Sequence, residues 1–162
     1  MALIENEIQD LSIPEIEKKK FRINGDNDSI LEINPSDVNI IPRLNEGYKK
    51  LDSLAKKVTE LDLGSGEEET TEEQMENISK QLKEIDKDMR EQLDYIFDAN
   101  VSEVCAKNAS MYEPINGKFR WEHIIDAIGT LYGNAFKSEF DAISKRVEKH
   151  TSKYTKSRKK KG

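Results

Sequence analysis

The sequence has few of the residues from which metal centres and disulfide frameworks are built. It contains one cysteine, Cys105, and two histidines, His123 and His150. A single cysteine excludes an intrachain disulfide and is typical of a protein from a reducing compartment. A Cys/His zinc site needs about four such ligands, which this chain does not supply. We therefore expect no metal and no cofactor.

Motifs of nucleotide-binding and hydrolytic enzymes are also missing. The chain has no P-loop, no dinucleotide-binding glycine pattern and no nucleophile elbow. Cys105 is flanked by Val104 and Ala106 in a short predicted helix. A buried thiol in such apolar surroundings is an inert small hydrophobic group rather than a nucleophile. We expect a protein that is not an enzyme.

Long apolar runs are absent as well. Hydrophobic residues make up 35% of the 162 residues, and no run approaches the roughly 20 residues that cross a bilayer, so we expect no integral membrane protein. The first residues lack the basic start and apolar stretch of a secretory signal. The composition suits one domain with a modest core, and not a multilayer sheet protein.

Charge is abundant and unevenly distributed. The net charge is −6, but residues 149–162 contain seven bases and no acid, which leaves −13 on residues 1–148. An acidic body repels phosphate backbones, so we do not expect nucleic acid as its partner. Residues 149–162 have no apolar periodicity and predict a disordered basic tail. Its candidate electrostatic site, for an acidic helical partner or RNA, comprises Lys156, Arg158, Lys159, Lys160 and Lys161. The alternative is a solvated terminus with no specific partner.

Hydrophobic periodicity predicts a single helical domain over residues 18–148, preceded by an N-terminal arm, 1–17. Residues 18–34 alternate on either side of a Gly/Asn/Asp cluster, which predicts a β-hairpin. Apolar steps of three and four predict three long helices, at about 38–62, 71–97 and 121–149. The first two should form an antiparallel helical hairpin, and the third a long C-terminal core helix. The predicted fold class is mainly α with a small N-terminal β-hairpin (α+β).

Aromatic residues near two helix ends are candidate partner-binding residues: Tyr95, Phe97, Phe119 and Trp121. For Phe119 and Trp121 the pattern favours core packing over an exposed stacking surface. The stripe from Met75 to Ile96 is close to a heptad repeat. We predict that it is mostly internal core, with a face left open for a partner helix as the alternative.

Several segments follow one another in a recognisable order. They include FRINGD at 21–26, LEINPSDV at 31–38, MREQLDYIFD at 89–98 with VSEV at 101–104, NGKF at 116–119 and KYTK at 153–156. This series, over about residues 18–156, resembles the tail assembly chaperones of long-tailed phages and prophages of Gram-positive bacteria. The resemblance is a pattern of segments rather than an invariant motif, and the family has no catalytic residues to transfer.

The resemblance implies a protein made late in infection that binds the tape measure protein and keeps it soluble until the tail tube polymerises. It implies a location in the host cell cytoplasm and absence from the mature virion. The family often makes a longer product by programmed ribosomal frameshifting, through which the tail tube protein would be an indirect partner. The codons of Lys159–Lys161 are the candidate frameshift position. Self-association is possible.

Two other functions are compatible with the sequence. One is a structural component of the virion, such as a tail completion or connector protein. The other is a helical nucleic-acid-binding regulator that uses the basic tail.

Overall fold

The computed structural model describes residues 7–61 and 71–161, with side chains up to residue 146. The elements in chain order are β1 (Lys19–Ile23), β2 (Asp26–Ile33), α1 (Ile40–Glu60), α2 (Glu72–Phe97), α3 (Val101–Ala106), β3 (Pro114–Ile115), β4 (Lys118–Phe119) and α4 (Arg120–Lys161). The fold is mainly α with a small N-terminal β-hairpin, as predicted. The first residues of the predicted arm, 1–6, and most of the predicted acidic linker, 62–70, lie outside the described residues.

The N-terminal hairpin forms because a tight turn separates two alternating segments. Asn24 and Gly25 both have positive φ, 52° and 74°, which suits the two-residue turn between antiparallel strands. The register places Phe21 opposite Leu31. Leu31 and Ile33 are buried, and β2 contacts α3. A hairpin is marginal in water by itself, so this packing on a helix stabilises it.

The helical hairpin of α1 and α2 contains most of the core. Leu51 of α1 and Met89 and Leu93 of α2 are fully buried. A capping box starts α2: the Thr71 hydroxyl accepts a hydrogen bond from the Gln74 N–H at 3.2 Å, and Gln74 Oε1 accepts one from the Thr71 N–H at 3.0 Å. These bonds satisfy backbone donors that the helix itself cannot satisfy, which fixes where α2 begins.

Arg43 joins the start of α1 to the end of α2. Its Nε donates to the Ile96 carbonyl at 2.9 Å, and its Nη2 donates to Asp37 Oδ2 at 2.9 Å. Burial acts to raise the pKa of Asp37, but hydrogen bonds from Arg43 and from the Asn39 backbone outweigh burial and lower it. Asp37 is therefore ionised at neutral pH and holds Arg43 in place, while the bond from Arg43 to the Ile96 carbonyl joins the two helix ends.

The last helix, α4, leaves the core part-way along its length. Trp121, Ile125 and Tyr132 are buried, whereas residues 137–146 are all exposed. The helix continues to Lys161, past the predicted boundary near residue 149 and into the stretch for which we predict a disordered tail. Residues 134–161 contain no proline or glycine, and lysine and arginine favour helix, so no local signal stops it.

Gly47 lies where α1 and α2 approach most closely. A methyl group on its Cα would lie 2.6 Å from Cδ1 of Ile96, a fully buried side chain. We expect Gly47→Ala to lower the free energy of unfolding by about 1–3 kcal/mol, because overpacking outweighs the gain in helix propensity. Urea unfolding measures this change.

Two further variants test that explanation. Ser53→Ala, on the exposed side of α1, is the control and should change stability by less than about 0.5 kcal/mol. Ile96→Ala removes both clashing atoms, Cγ1 and Cδ1, so Gly47→Ala should cost less stability in an Ile96→Ala background than in the wild type. Wild-type stability in Gly47→Ala would contradict the close approach.

Candidate partner-binding groove

The predicted aromatic candidates divide between the core and the surface. Phe97 and Trp121 are buried. The Phe97 ring packs on Tyr132 with centroids 5.9 Å apart, and Trp121 meets Tyr48 edge-on at 5.3 Å. Their burial corrects the prediction that these two residues contact a partner, because both rings are used in the core.

Tyr95 and Phe119 retain exposed surface. Tyr95 is exposed and its hydroxyl donates to Glu46 Oε2 at 3.3 Å. Phe119 is half-buried in β4, and its N–H donates to Glu122 Oε2 at 2.8 Å. Neither lines the groove described below. The candidate tail residues, Lys156, Arg158, Lys159, Lys160 and Lys161, have side chains outside the described residues.

The apolar stripe of α2 is covered over only half of its length. From Ile85 to Ile96 its members are buried, and Met89 is 0% exposed. Met75 is 60% exposed, and Ile78 and Leu82 are half-buried. Leu61, just after α1, lies at the level of Gln81 and Ile85. Within the described residues, α1 therefore covers the second half of α2 and leaves the first half open.

A groove of 560 Å³ runs along this open half of α2. One wall and the floor come from α2, and the other wall comes from the loop after α3. Its lining residues are Met75, Ile78, Ser79, Leu82, Lys83, Ser110 and Tyr112. An apolar floor with a polar rim along a helix is the arrangement that receives an amphipathic helix from a partner.

Polar residues of α2 hold the loop that forms the second wall. Arg90 Nε donates to Asp86 Oδ2 at 2.9 Å, and the Met111 N–H donates to Asp86 Oδ1 at 2.7 Å. Arg90 Nη2 also donates to the carbonyls of Lys107 at 2.8 Å and Ala109 at 2.6 Å. Because a charged group takes part in each bond, these bonds are stronger than ordinary neutral ones. They fix the loop that presents Tyr112.

The start of α3 is tied to the same helix. Asp94 accepts hydrogen bonds from the Ser102 N–H at 2.8 Å and from the Ser102 hydroxyl at 3.0 Å. Asp86, Arg90 and Asp94 are spaced by four residues and so lie along one side of α2. One helix therefore provides the groove floor and also anchors the segment that forms the opposite wall.

Two ionisable groups outside the groove, Cys105 and Asp26, have pKa values shifted by burial and by structural hydrogen bonds. Burial, and then the charge of Asp94, raises the pKa of the Cys105 thiol to about 11, which keeps it protonated at neutral pH. A hydrogen bond from Lys107, with further bonds from Asp28 and Ser29, lowers the pKa of Asp26 to about 2. The Lys107–Asp26 bond, 2.7 Å long, joins the hairpin to the end of α3.

The described part of the chain has neither a metal-binding cluster nor a membrane-spanning helix. No group of three or more Cys, His, Asp and Glu side chains is placed to hold a metal ion. None of the helices in ranges 7–61 and 71–161 combines the length and apolar character of a membrane span. The groove along α2 is therefore the candidate binding surface.

Comparisons with protein-family models, with curated proteins and with solved structures found no match. The resemblance to tail assembly chaperones thus depends on the sequence segments alone. The groove is a separate observation, made from the geometry of α2 and the loop after α3.

Removing the Asp86 carboxylate tests how the second wall is held. We expect Asp86→Ala to lower the free energy of unfolding by about 1–3 kcal/mol, because it leaves the Met111 N–H without its acceptor and Arg90 without its ion pair. Asp88→Ala, exposed on the same helix, is the matched control. Chemical denaturation measures both, and equal stabilities of the two variants would show that Asp86 does not hold the loop.

Proposed function

We propose that this protein is a tail assembly chaperone of a long-tailed phage or prophage, which binds helices of the tape measure protein and keeps them soluble. The observation that carries the proposal is the apolar groove along the first half of α2. It supports the proposal because a chaperone for an apolar helix needs an open apolar surface of helical length. The sequence resemblance supports the same function independently.

The groove suits a short helical segment of a client. Met75, Ile78 and Leu82 span eight residues of α2, with about 10 Å, or two helical turns, between the ends. Its floor therefore fits apolar client residues at spacings of three and four. Burial of so small an area stabilises the contact only modestly, at about 25 cal/mol per Å². Many copies would coat one long client, and tail tube subunits could displace them one at a time.

The charge of the body supports the coating role. Residues 1–148 have a net charge of −13. Copies bound side by side along a client repel other coated clients, which keeps the assembly soluble at low and moderate ionic strength. The acidic character thus complements the apolar groove: the groove binds the client, and the charge prevents the coated filaments from aggregating.

Co-expression with the tape measure protein encoded by the same phage or prophage tests the proposal. Wild-type protein should keep the tape measure protein in the soluble fraction. Met75→Ser/Ile78→Ser should lose most of that effect, because the groove floor becomes polar. Ile41→Ser is the control, since Ile41 is 57% exposed on α1 and does not line the groove.

Circular dichroism should show wild-type helix content for both variants. A folded double variant that still solubilises the client fully would contradict binding through the groove. Loss of solubility in Ile41→Ser alone would place the client on another surface.

Mass spectrometry of purified virions separates a chaperone from a tail completion or connector protein. A chaperone leaves the assembly as the tail tube forms, so we expect far less than one copy per virion. Stoichiometric presence in the particle would contradict the chaperone proposal and favour the structural alternative.

A further inference from the structure

The long helix α4 has a second apolar stripe, which begins beside the face that packs in the core and continues beyond it. Its members follow one another in alternating steps of four and three, as in a coiled-coil heptad. They are Gly129, Gly133, Phe136, Phe140, Ile143 and Val147. We call this set the α4 seam. It spans 19 positions, with about 27 Å of helix between its ends.

Phe136 packs against the core beside Tyr132, with ring centroids 6.1 Å apart, but the next two members of the seam are uncovered in the described part of the chain. Phe140 is 49% exposed and Ile143 is 43% exposed. A methyl group on Gly129 or Gly133 would have no atom within 4 Å. Paired glycines on one side of a helix allow another helix to approach closely, yet no helix within residues 7–61 and 71–161 does so here. The core face of α4, with Trp121, Ile128 and Tyr132, is already occupied.

We propose that two copies of this protein form a dimer in which their α4 seams pack antiparallel. In the heptad register, Phe140 of each copy lies opposite Ile143 of the second copy, and the two-fold axis passes between them. Both apolar seams are then covered by one symmetric contact. This inference goes beyond the proposed function and does not depend on a client.

Charge decides the direction of packing. In a parallel pair, residues 149–161 of the two copies, with seven bases each and no acid, would lie side by side and repel. In the antiparallel register, these residues lie along positions 122–134 of the other copy. Its body is acidic, with −13 over residues 1–148, so the basic end of each helix meets opposite charge.

Acidic groups are present at that part of α4. Asp126 is exposed on the helix, in an ion pair with Lys118. Residues 122–134 contain two acids, Glu122 and Asp126, and no lysine or arginine. The bases of the second copy would therefore be placed beside a stretch of α4 that has only acidic charges.

The antiparallel register also fixes which positions face each other. Position 133 of one copy is opposite position 150 of the other, and position 129 is opposite position 154.

Sedimentation equilibrium of the purified full-length protein tests the dimer. We expect a dimer for wild type, and Phe140→Ser/Ile143→Ser should raise the dissociation constant at least about 100-fold, since four exposed apolar side chains leave the interface. Ile41→Ser should remain dimeric. A monomeric wild type, or a double variant that dimerises as well as wild type, would overturn the proposal.

Cysteine cross-linking tests the direction, in a Cys105→Ser background. Gly133→Cys chains mixed with His150→Cys chains should give heterodimers with a short bismaleimide, because these positions face each other only in the antiparallel register. Gly133→Cys alone should give little product. Efficient cross-linking of Gly133→Cys to itself would show parallel packing and overturn the proposed arrangement.

Discussion

One geometric constraint governs the molecule: its core is shorter than the helices around it. α2 has 26 residues and α4 has 42, or about 39 and 63 Å of helix. The buried stripe of α2 begins only at Ile85, and among the described side chains of α4, which end at residue 146, the last buried one is Tyr132. The remaining apolar surface is available to other molecules.

Polar residues of α2 hold in place the segment that covers the second half of this helix. Asp86, Arg90 and Asp94 bind the backbone of the segment between Ser102 and Met111. That segment covers the second half of α2 and ends in Tyr112, beside the open first half. The same contacts therefore stabilise the core and shape the proposed client surface. We propose different roles for the two uncovered surfaces: α2 for a client helix, and α4 for a second copy.

Local features of the fold were predictable from the sequence. Which parts of a helix are buried by segments distant in the sequence was not predictable. The N-terminal hairpin depends on neighbouring residues and is confirmed, although its turn is Asn24-Gly25 and the rest of the Gly/Asn/Asp cluster belongs to β2. The capping box at Thr71 is likewise set by neighbouring residues. Met75 and Met89 are two heptads apart and so lie on the same face of α2, yet Met75 is 60% exposed and Met89 is 0% exposed. Their difference arises from α1 and the loop after α3, which no local pattern reveals.

Hydrogen exchange of the complex with a soluble tape measure fragment tests the central claim most directly. It measures how strongly the backbone amides in each part of a helix are protected. Amides of α2 between residues 75 and 83 should exchange quickly in the free protein and at least about tenfold more slowly in the complex. The buried half of α2 should change little. A fragment that binds without slowing exchange at residues 75–83 would contradict a client surface on the open half of this helix.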